Sequence, residues 1–527
     1  MMKIATSTYD FATLRQDGFV YVDKTDILLK LIRRGGDAHY FIARPRRFGK
    51  SLMLSTLKYI FQGRRELFKG LAIDRARYDW KNYPVIHFDM CRAAADAPEK
   101  VDRLLLNMVK DSAAQYKIKL NWREVVNSSE AFNRFLSALA AEHGKFVVLI
   151  DEYDVPLQGF LGDRKSIAKV RKIMHDFYVQ LKSHAADIRF MMIAGVTKLT
   201  KLSLFSGLNN PNDLSNDGTY GARLLGYTGK EIEKFFGRRI RELAKKRKVL
   251  EKEFLRQILK WYDSYRFSPN SKVKVCNPIS VGKSLNEGVF SNYWMKTAST
   301  SLLVERMQSA ALDDFKFENV LTTSDDLDVC DAIELPLIPL MYQCGYLTIK
   351  DVQRNEDGVE TGLVLGVPNM EVRSALDGLY FKSMLHVDER DFDSGVTAAA
   401  EFLAAGDMRR LVGEALYSIY AKIPPTWRIK CEADAKRHFM LFMQMLGAKT
   451  AAEKPSAFGY ADAILETKTA VCLFEFKFNK SVKSAVRQIR DKRYAESYRG
   501  DKRAVKLIGV NFRSSKRNID EPLIEDL

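Results

Sequence analysis

The segment HYFIARPRRFGKSLMLSTLKYIF (39–61) constrains this chain most: an apolar strand runs through a short basic loop into a helix opened by Gly49, Lys50 and Ser51. In that context backbone N–H groups at a helix N-terminus can cradle phosphate. Lys50 would reach the β and γ oxygens, and the Ser51 hydroxyl would ligate Mg²⁺. Arg44 stands where the GxxxxGK[ST] pattern has its first glycine. The tripeptide alone is therefore also compatible with a capped basic helix.

Four short apolar runs, HYFIA (39–43), PVIHFDM (84–90), FVVLI (146–150) and FMMIAGV (190–196), alternate with helical stretches such as 100–116 and 164–184. Such runs suit parallel strands buried on both faces. The third runs into Asp151 and Glu152, at the strand end where open α/β sheets bind ligands. Asp151 can hold the water shell of Mg²⁺, and Glu152 can polarise an attacking water. Thr197 ends the fourth run, where it would sense a γ-phosphate or simply terminate the strand. Arg46 and Arg47 lie inside the loop. They would neutralise phosphate charge, contact the Asp151–Asp154 cluster, or contact YVDKT (21–25).

The chain has 527 residues, 84 Lys and Arg against 66 Asp and Glu, and a net charge of +18, which points towards polyanions. With 46% hydrophobic and 28% charged residues it is neither disordered nor collagenous. No apolar run is long enough to span a bilayer, so no membrane partner is expected. Six scattered cysteines without a CxxC pair fit reduced thiols and a cytoplasmic location.

The pattern turns mainly helical from about 229 to 375, opening with the basic segment 230–256. CGYLTIKDV (344–352) and TGLVLGVPN (361–369) then read as two strands after a helical stretch, 326–343, an order that fits a winged-helix-like unit. From about 376 the chain reads as helices (392–419, 434–447) followed by the strands FGYADAIL, AVCLFEFKF and AVKLIGVNF.

In AVCLFEFKF (470–478) alternation puts Val471, Leu473, Glu475 and Lys477 on one face and Cys472, Phe474 and Phe476 on the other. A tight turn centred on Thr467 and Lys468 would pair Asp462 with Leu473, leaving Asp462 one diagonal step from Glu475. Two carboxylates and a lysine suit metal-assisted phosphodiester hydrolysis: Asp462 and Glu475 would hold Mg²⁺, and Lys477 would orient water and offset phosphate charge. The helix expected over 480–498 places Gln488 beside its core residues. Residues 477–517 hold fourteen Lys and Arg against Asp491, Glu496 and Asp501, as binding to phosphodiesters would require.

YVDKT, ARPRRFGKSL, YPVIHFDM, VVLIDEYDVPL and IAGVTKLTKLSLFSGLNN resemble the bacterial AAA-ATPase-like family, with WYDSYRF, CNPIS, NYWMKT and CGYLTIK extending the match. In that family Arg44 at the first-glycine position is usual. GYAD (459–462), FEFK and VRQIRDKRYAE resemble the PD-(D/E)XK nuclease-like domain often fused to these ATPases. By that resemblance Asp462, Glu475 and Lys477 form a catalytic triad with Gln488 as the accessory glutamine. A helix-borne acid, Glu432 or Asp434, would complete the metal site. Ala461 stands where the short proline-aspartate form has proline.

The expected architecture is α/β: a P-loop NTPase parallel sheet with helices (1–228), a helical and winged-helix-like middle region (229–375) and a C-terminal α/β PD-(D/E)XK nuclease-like domain (376–527). ATP would bind through Arg46, Arg47, Gly49, Lys50, Ser51, Asp151 and Thr197, with Ser51 and Asp151 on its Mg²⁺ and Glu152 catalytic. The expected activity is ATP hydrolysis that couples to or gates a Mg²⁺ nuclease acting on nucleic acid, with DNA as the favoured partner. The competing reading is a nucleotide-switched binding or signalling protein with an inactive nuclease fold. A homo-oligomer sharing an arginine between copies is compatible with the Arg-rich stretch 223–256.

Overall fold

The computed structural model describes residues 2–35, 38–198, 211–294, 317–328, 336–376, 389–421, 429–446, 448–456, 459–467 and 469–527. Cys330, Lys468 and KLSLFSGLNN (201–210) lie outside them, as does the end of NYWMKT. The chain divides into two compact units, Met1–Ala298 with Phe315–Glu371, and Ser299–Asp314 with Val372–Leu527.

In the first unit the four apolar runs form β1 (His39–Ala43), β2 (Val85–Asp89), β3 (Phe146–Asp151) and β4 (Ile188–Gly195). With the short β5 (Asn212–Asp213) they make a parallel sheet of order β2-β3-β4-β1-β5. Every residue of β3 is buried, which explains why it reads as a continuous apolar run and not an alternating one. The helices between strands include α1 (Lys50–Phe61), α2 (Pro98–Gln115), α3 (Ser128–His143) and α4 (Arg164–Ser183). In α4, Ile167, Val170, Met174, Phe177 and Leu181 are buried at helical spacing.

The basic segment 230–256 forms α5 (Gly229–Arg247), opened by a capping box between Thr228 and Glu231, and the first half of α6 (Glu251–Tyr262). Lys24 of YVDKT pairs with that same Glu231 at 2.7 Å. Asp23 accepts from Thr25 N and from Ala72 N. YVDKT is thus a brace within the unit. Helix α7 (Pro278–Glu287) follows, with Asn277 as its N-cap. Beyond it, α8 (Leu337–Gln343) lies in the chain between β6 (Val320–Thr322) and the hairpin of β7 (Thr348–Arg354) and β8 (Glu360–Gly366), and the three strands form an antiparallel sheet of order β6-β8-β7. The expected middle strands are therefore present and joined by a third.

Glu371 ties these pieces together. It is fully buried, and its Oε1 accepts from Ser280 Oγ at 2.9 Å, Tyr293 N at 2.8 Å and Trp294 N at 2.9 Å. Its Oε2 has no hydrogen-bond partner. An ionised carboxylate with one bare oxygen in a dry site is costly.

The second unit carries a helix over Glu389–Ala405 and α9 (Glu432–Met445) before its sheet. The strands are β9 (Lys449–Ser456), β10 (Gly459–Glu466), β11 (Ala470–Phe478), β12 (Ala504–Arg513), β13 (Asn518–Ile519) and β14 (Leu523–Asp526). They are ordered β13-β12-β11-β10-β9, with β14 also on β12. β11 and β12 are parallel, and α10 (Val482–Asp491) connects them. The two faces of β11 divide as alternation requires: Cys472, Phe474 and Phe476 pack with Phe439 and Phe442 of α9, while Val471 and Leu473 pack with Val486 and Ile489 of α10. The expected helix 480–498 is shorter. It ends at Asp491, and a 3₁₀ turn over Glu496–Tyr498 follows.

The β10–β11 register corrects the expected one. Leu473 faces Ile464, not Asp462, and the last recorded pair towards the open end of the hairpin is Ala463 with Phe474. The turn is wider than expected because the Thr467 hydroxyl accepts from Thr469 N and Ala470 N, closing a side-chain-bonded turn. That shifts the pairing by two residues. An even shift preserves which face each side chain takes, so the alternation argument survives.

Burial pushes the Glu371 carboxyl up to about 7, against its hydrogen bonds. The folded form then holds more protons than the unfolded one between the ordinary glutamate pKa and about 7, so stability falls as pH rises through that window. Glu371→Gln is expected to flatten the pH dependence of the first unit's thermal transition between about pH 5 and 8. Scanning calorimetry at matched ionic strength reads it; identical slopes in variant and parent would refute the assignment.

Candidate functional site

Gly49 takes a left-handed φ of 97° at the N-cap of α1, a conformation that strains any side chain, and Arg47 precedes it at φ 69°. The loop so turned places Lys50 inward: only 3% exposed, its Nζ donates to Arg44 O at 3.1 Å and lies 3.5 Å from Glu152 Oε1. Ser51 lines the same cleft as Asp151, which is 5% exposed. Burial pushes the Asp151 carboxyl up to about 6, aided by Glu152 and Asp89 and opposed by Ser51 and Lys50. Glu152 adopts φ 51° directly after the strand, turning its backbone sharply at the site.

These residues line one end of a cleft of about 370 Å³, within the range of small-molecule sites. Its other walls include the apolar side chains of Ile4, Val20, Val22, Leu224, Tyr227 and Ile279. Arg46 and Arg47 line it too. Of the roles left open for Arg46, the side chain takes one near the acidic cluster: Nη2 reaches Gln158 Oε1 at 3.2 Å, and Gln158 bonds Asp154.

Arg44 does not enter the cleft. It is buried with its guanidinium on the carbonyls of Ala43, Ser215 and Gly221 and 4.2 Å from the Phe267 ring centroid. It therefore braces the loop from behind. Thr197, read as a sensor or as a strand terminus, donates its hydroxyl to Asp154 Oδ2 at 2.7 Å, and the residue is only 4% exposed. The group at that strand end is held by a buried carboxylate, and Asp154 also accepts from Val196 N and Thr197 N.

Sequence reasoning passed over Asp89, which ends β2 beside Asp151 in register and lines the cleft. Its signal was present, since the apolar run VIHF leads into Asp89 as VVLI leads into Asp151. Asn277, also overlooked, donates weakly from Nδ2 to Arg46 O at 3.5 Å while capping α7.

In the second unit Glu475 is 2% exposed and Lys477 5%. Lys477 Nζ donates to Glu475 Oε1 at 2.8 Å and to Phe476 O at 3.0 Å. Glu475 Oε2 is buried with no hydrogen-bond partner. Asp462 Oδ2 accepts from Phe476 N at 2.9 Å, so its carboxylate reaches β11 where the recorded strand pairing stops. Continuing the register by one residue sets Asp462 opposite Glu475, nearer than the diagonal expected.

Burial, with Asp462 and Glu432 adding, holds the Glu475 carboxyl above the usual range despite Lys477. Burial works to lower the Lys477 amine, but its hydrogen bond to Glu475 and the surrounding acids hold it above the ordinary value. Of the two helix acids left open, Glu432 faces the cluster, 3.5 Å from Lys477 and 3.1 Å from Lys480, whereas Asp434 accepts from Lys430 N. Lys436, unremarked in the sequence, stands 3.7 Å from Asp462. Gln488 is half-buried on α10, and no hydrogen bond among the described residues joins its side chain to the triad.

Residues 5–205 match the family described as Predicted AAA-ATPase, and residues 430–522 match the PD-(D/E)XK nuclease superfamily. An uncharacterized protein in the vnfD 5′ region of Azotobacter chroococcum mcd 1 is 31% identical across all of this chain and 99% of its own length. The chain belongs to the AAA-ATPase-like family and carries a C-terminal PD-(D/E)XK nuclease superfamily domain. Among solved structures, the Aeropyrum pernix ORC1 protein in complex with DNA aligns over 70% of the chain and 97% of its own, at 10% identity and a TM-score of 0.25. That similarity is too low to bear on function.

The AAA-ATPase-like unit fits a nucleotide because a left-handed glycine, a buried amine and a hydroxyl–carboxylate pair converge on one cleft. The nuclease-superfamily unit fits a cation through the bare, buried Glu475 Oε2. Among the described residues, no helix is long and apolar enough to cross a membrane, and the five described cysteines are free thiols.

A Cβ on Gly195 would sit 2.4 Å from the Tyr153 ring and 2.8 Å from Asp154 Oδ1. Gly195→Ala is therefore expected to lose roughly 1–3 kcal/mol of stability by overpacking. Urea unfolding of the variant measures it, and a cost near zero would mean that the Tyr153–Asp154 packing yields freely.

Proposed function

We propose that this AAA-ATPase-like protein binds and hydrolyses ATP in its first unit and uses turnover to gate a Mg²⁺-dependent nuclease in its second, acting on nucleic acid and favouring DNA. The observation that carries the reading is the Glu475–Lys477 pair, buried beside Asp462 with one carboxylate oxygen unpartnered, on the same chain as an equipped nucleotide cleft.

In the first unit Gly49 and Lys50 bind the triphosphate, and Arg46 and Arg47 flank it. Lys50 exchanges Glu152 for phosphate, which leaves Glu152 free to orient water and accept its proton. Ser51 and Asp151 would hold the nucleotide's Mg²⁺. The Thr197–Asp154 pair fixes the strand end between the loop strand and the acidic strand. In the second unit Asp462, Glu475 and the Phe476 carbonyl would hold Mg²⁺, which supplies Lewis acidity and an activated water. Lys477 turns from Glu475 towards the scissile phosphate and offsets its charge, while Glu432 and Gln488 flank the site. The three-stranded sheet with its preceding helices is read as winged-helix-like, and the protein as cytoplasmic.

The second reading, a nucleotide-switched binding or signalling protein with an inactive nuclease fold, has one observation in its favour. Among the described residues no group of three or more His, Cys, Asp or Glu side chains is gathered for a metal.

Glu152→Gln should retain nucleotide binding while ATP turnover falls about 10²–10⁴-fold, whereas Lys50→Ala should lose binding itself. Cleavage of plasmid and single-stranded DNA with Mg²⁺, with and without ATP, separates the readings. Wild-type cutting abolished by Glu475→Ala or Lys477→Ala supports the nuclease, and loss of the ATP response in Lys50→Ala supports gating. ATP hydrolysis without cutting of either substrate would favour the switch.

A further inference from the structure

We infer that the outer face of α10, led by Lys483 and Arg487, is the surface along which the phosphate backbone of a nucleic acid lies as it enters the Glu475–Lys477 site. The inference rests on the nuclease reading and gives that site a substrate path.

Position comes first. Gly509 faces Glu475 across the parallel β11–β12 pairing. A Cβ on Gly509 would meet Val482 O at 2.4 Å and the side chains of Val486 and Ala485 at 3.0 and 3.1 Å. The opening turn of α10 is therefore pressed against the strand residue beside Glu475, and whatever reaches this site passes close to that turn.

Charge comes second. Ala485, Val486 and Ile489 face the core, while Lys483, Arg487 and Arg490 are exposed. At about 100° per residue those three fall within roughly 60° of one another, on the exposed flank next to Val486. They span about 10 Å along the helix, the axial rise of about three phosphates on one strand of a B-form duplex. Asp491 lies at the far end of the same face.

Pairing separates them from eight of the segment's other basic residues. Of the fourteen Lys and Arg in 477–517, eight form ion pairs with acids of the same unit, among them Arg490 with Glu525, Arg503 with Asp501 and Arg513 with Asp520. Lys483 and Arg487 have no ion pair among the described residues. Their charge is available to a polyanion without first breaking a pair, whereas most of the segment's charge is already neutralised.

The test uses the full chain carrying Glu475→Ala to silence cutting, at constant Mg²⁺, with fluorescent duplex and single-stranded DNA titrated over a salt series. Lys483→Gln with Arg487→Gln should weaken binding roughly tenfold and lower the slope of log K against log salt by about 1.8 on duplex or about 1.4 on single strands. The charge-matched control, Lys492→Gln with Lys502→Gln, should change neither. Lys502 adjoins the end of the sheet where Ala470 pairs with Ala504, away from Glu475. Equal slopes and affinities for the α10 variant and its parent would overturn the path while leaving the nuclease reading intact. A parent that binds no nucleic acid would overturn both.

Discussion

A lysine amine removed from water must find acceptors, and both sites of this protein are organised around that requirement. Lys50 rests on a loop carbonyl and near Glu152; Lys477 rests on Glu475 and the Phe476 carbonyl. In each case the partner is an acid to which the proposed chemistry gives another task. A phosphate arriving at the lysine would replace the carboxylate as counter-charge and free it. The ground-state ion pair therefore keeps the buried charges tolerable and holds both groups near their working positions.

The supporting structure follows the same logic. Asp154, fully buried, accepts from the backbone at the end of β4 and from Thr197, and so fixes a strand end between β1 and β3. Arg44 satisfies carbonyls behind the phosphate loop where a glycine would leave them bare. Glu371 gathers α7 and the Tyr293–Trp294 backbone onto a single oxygen. Buried polar groups with satisfied partners make an arrangement specific as well as stable. Two of the buried oxygens left without a hydrogen-bond partner, Glu371 Oε2 and Glu475 Oε2, differ in consequence. The first sits in a structural knot, the second at a site that fits a cation.

Much of this was legible in the residues. The strands β1 to β4 were apparent because burial on both faces demands uninterrupted apolar runs, and the loop and acidic pair because each sits at a strand's carboxyl end. Alternation along β11 identified the shared face of Glu475 and Lys477. The β10–β11 register was misjudged because a threonine hydroxyl, not a two-residue turn, closes the loop. Thr197 was read as a γ-phosphate sensor or a strand terminus, and nothing local reveals that Asp154, forty-three residues earlier, takes its hydroxyl.

Periodicity and residue chemistry by themselves determined the α/β character of both ends, the loop–acid pairing and the carboxylate–lysine strand, since each depends on neighbours along one strand or turn. Tertiary structure decided what depends on distant segments: the order β2-β3-β4-β1-β5, Glu432 over Asp434, Asp89 beside Asp151, and which basic residues remain unpaired. Hydrogen bonds and ion pairs act over a few ångströms in space, and the chain positions they join carry no mark of one another until the fold brings them together.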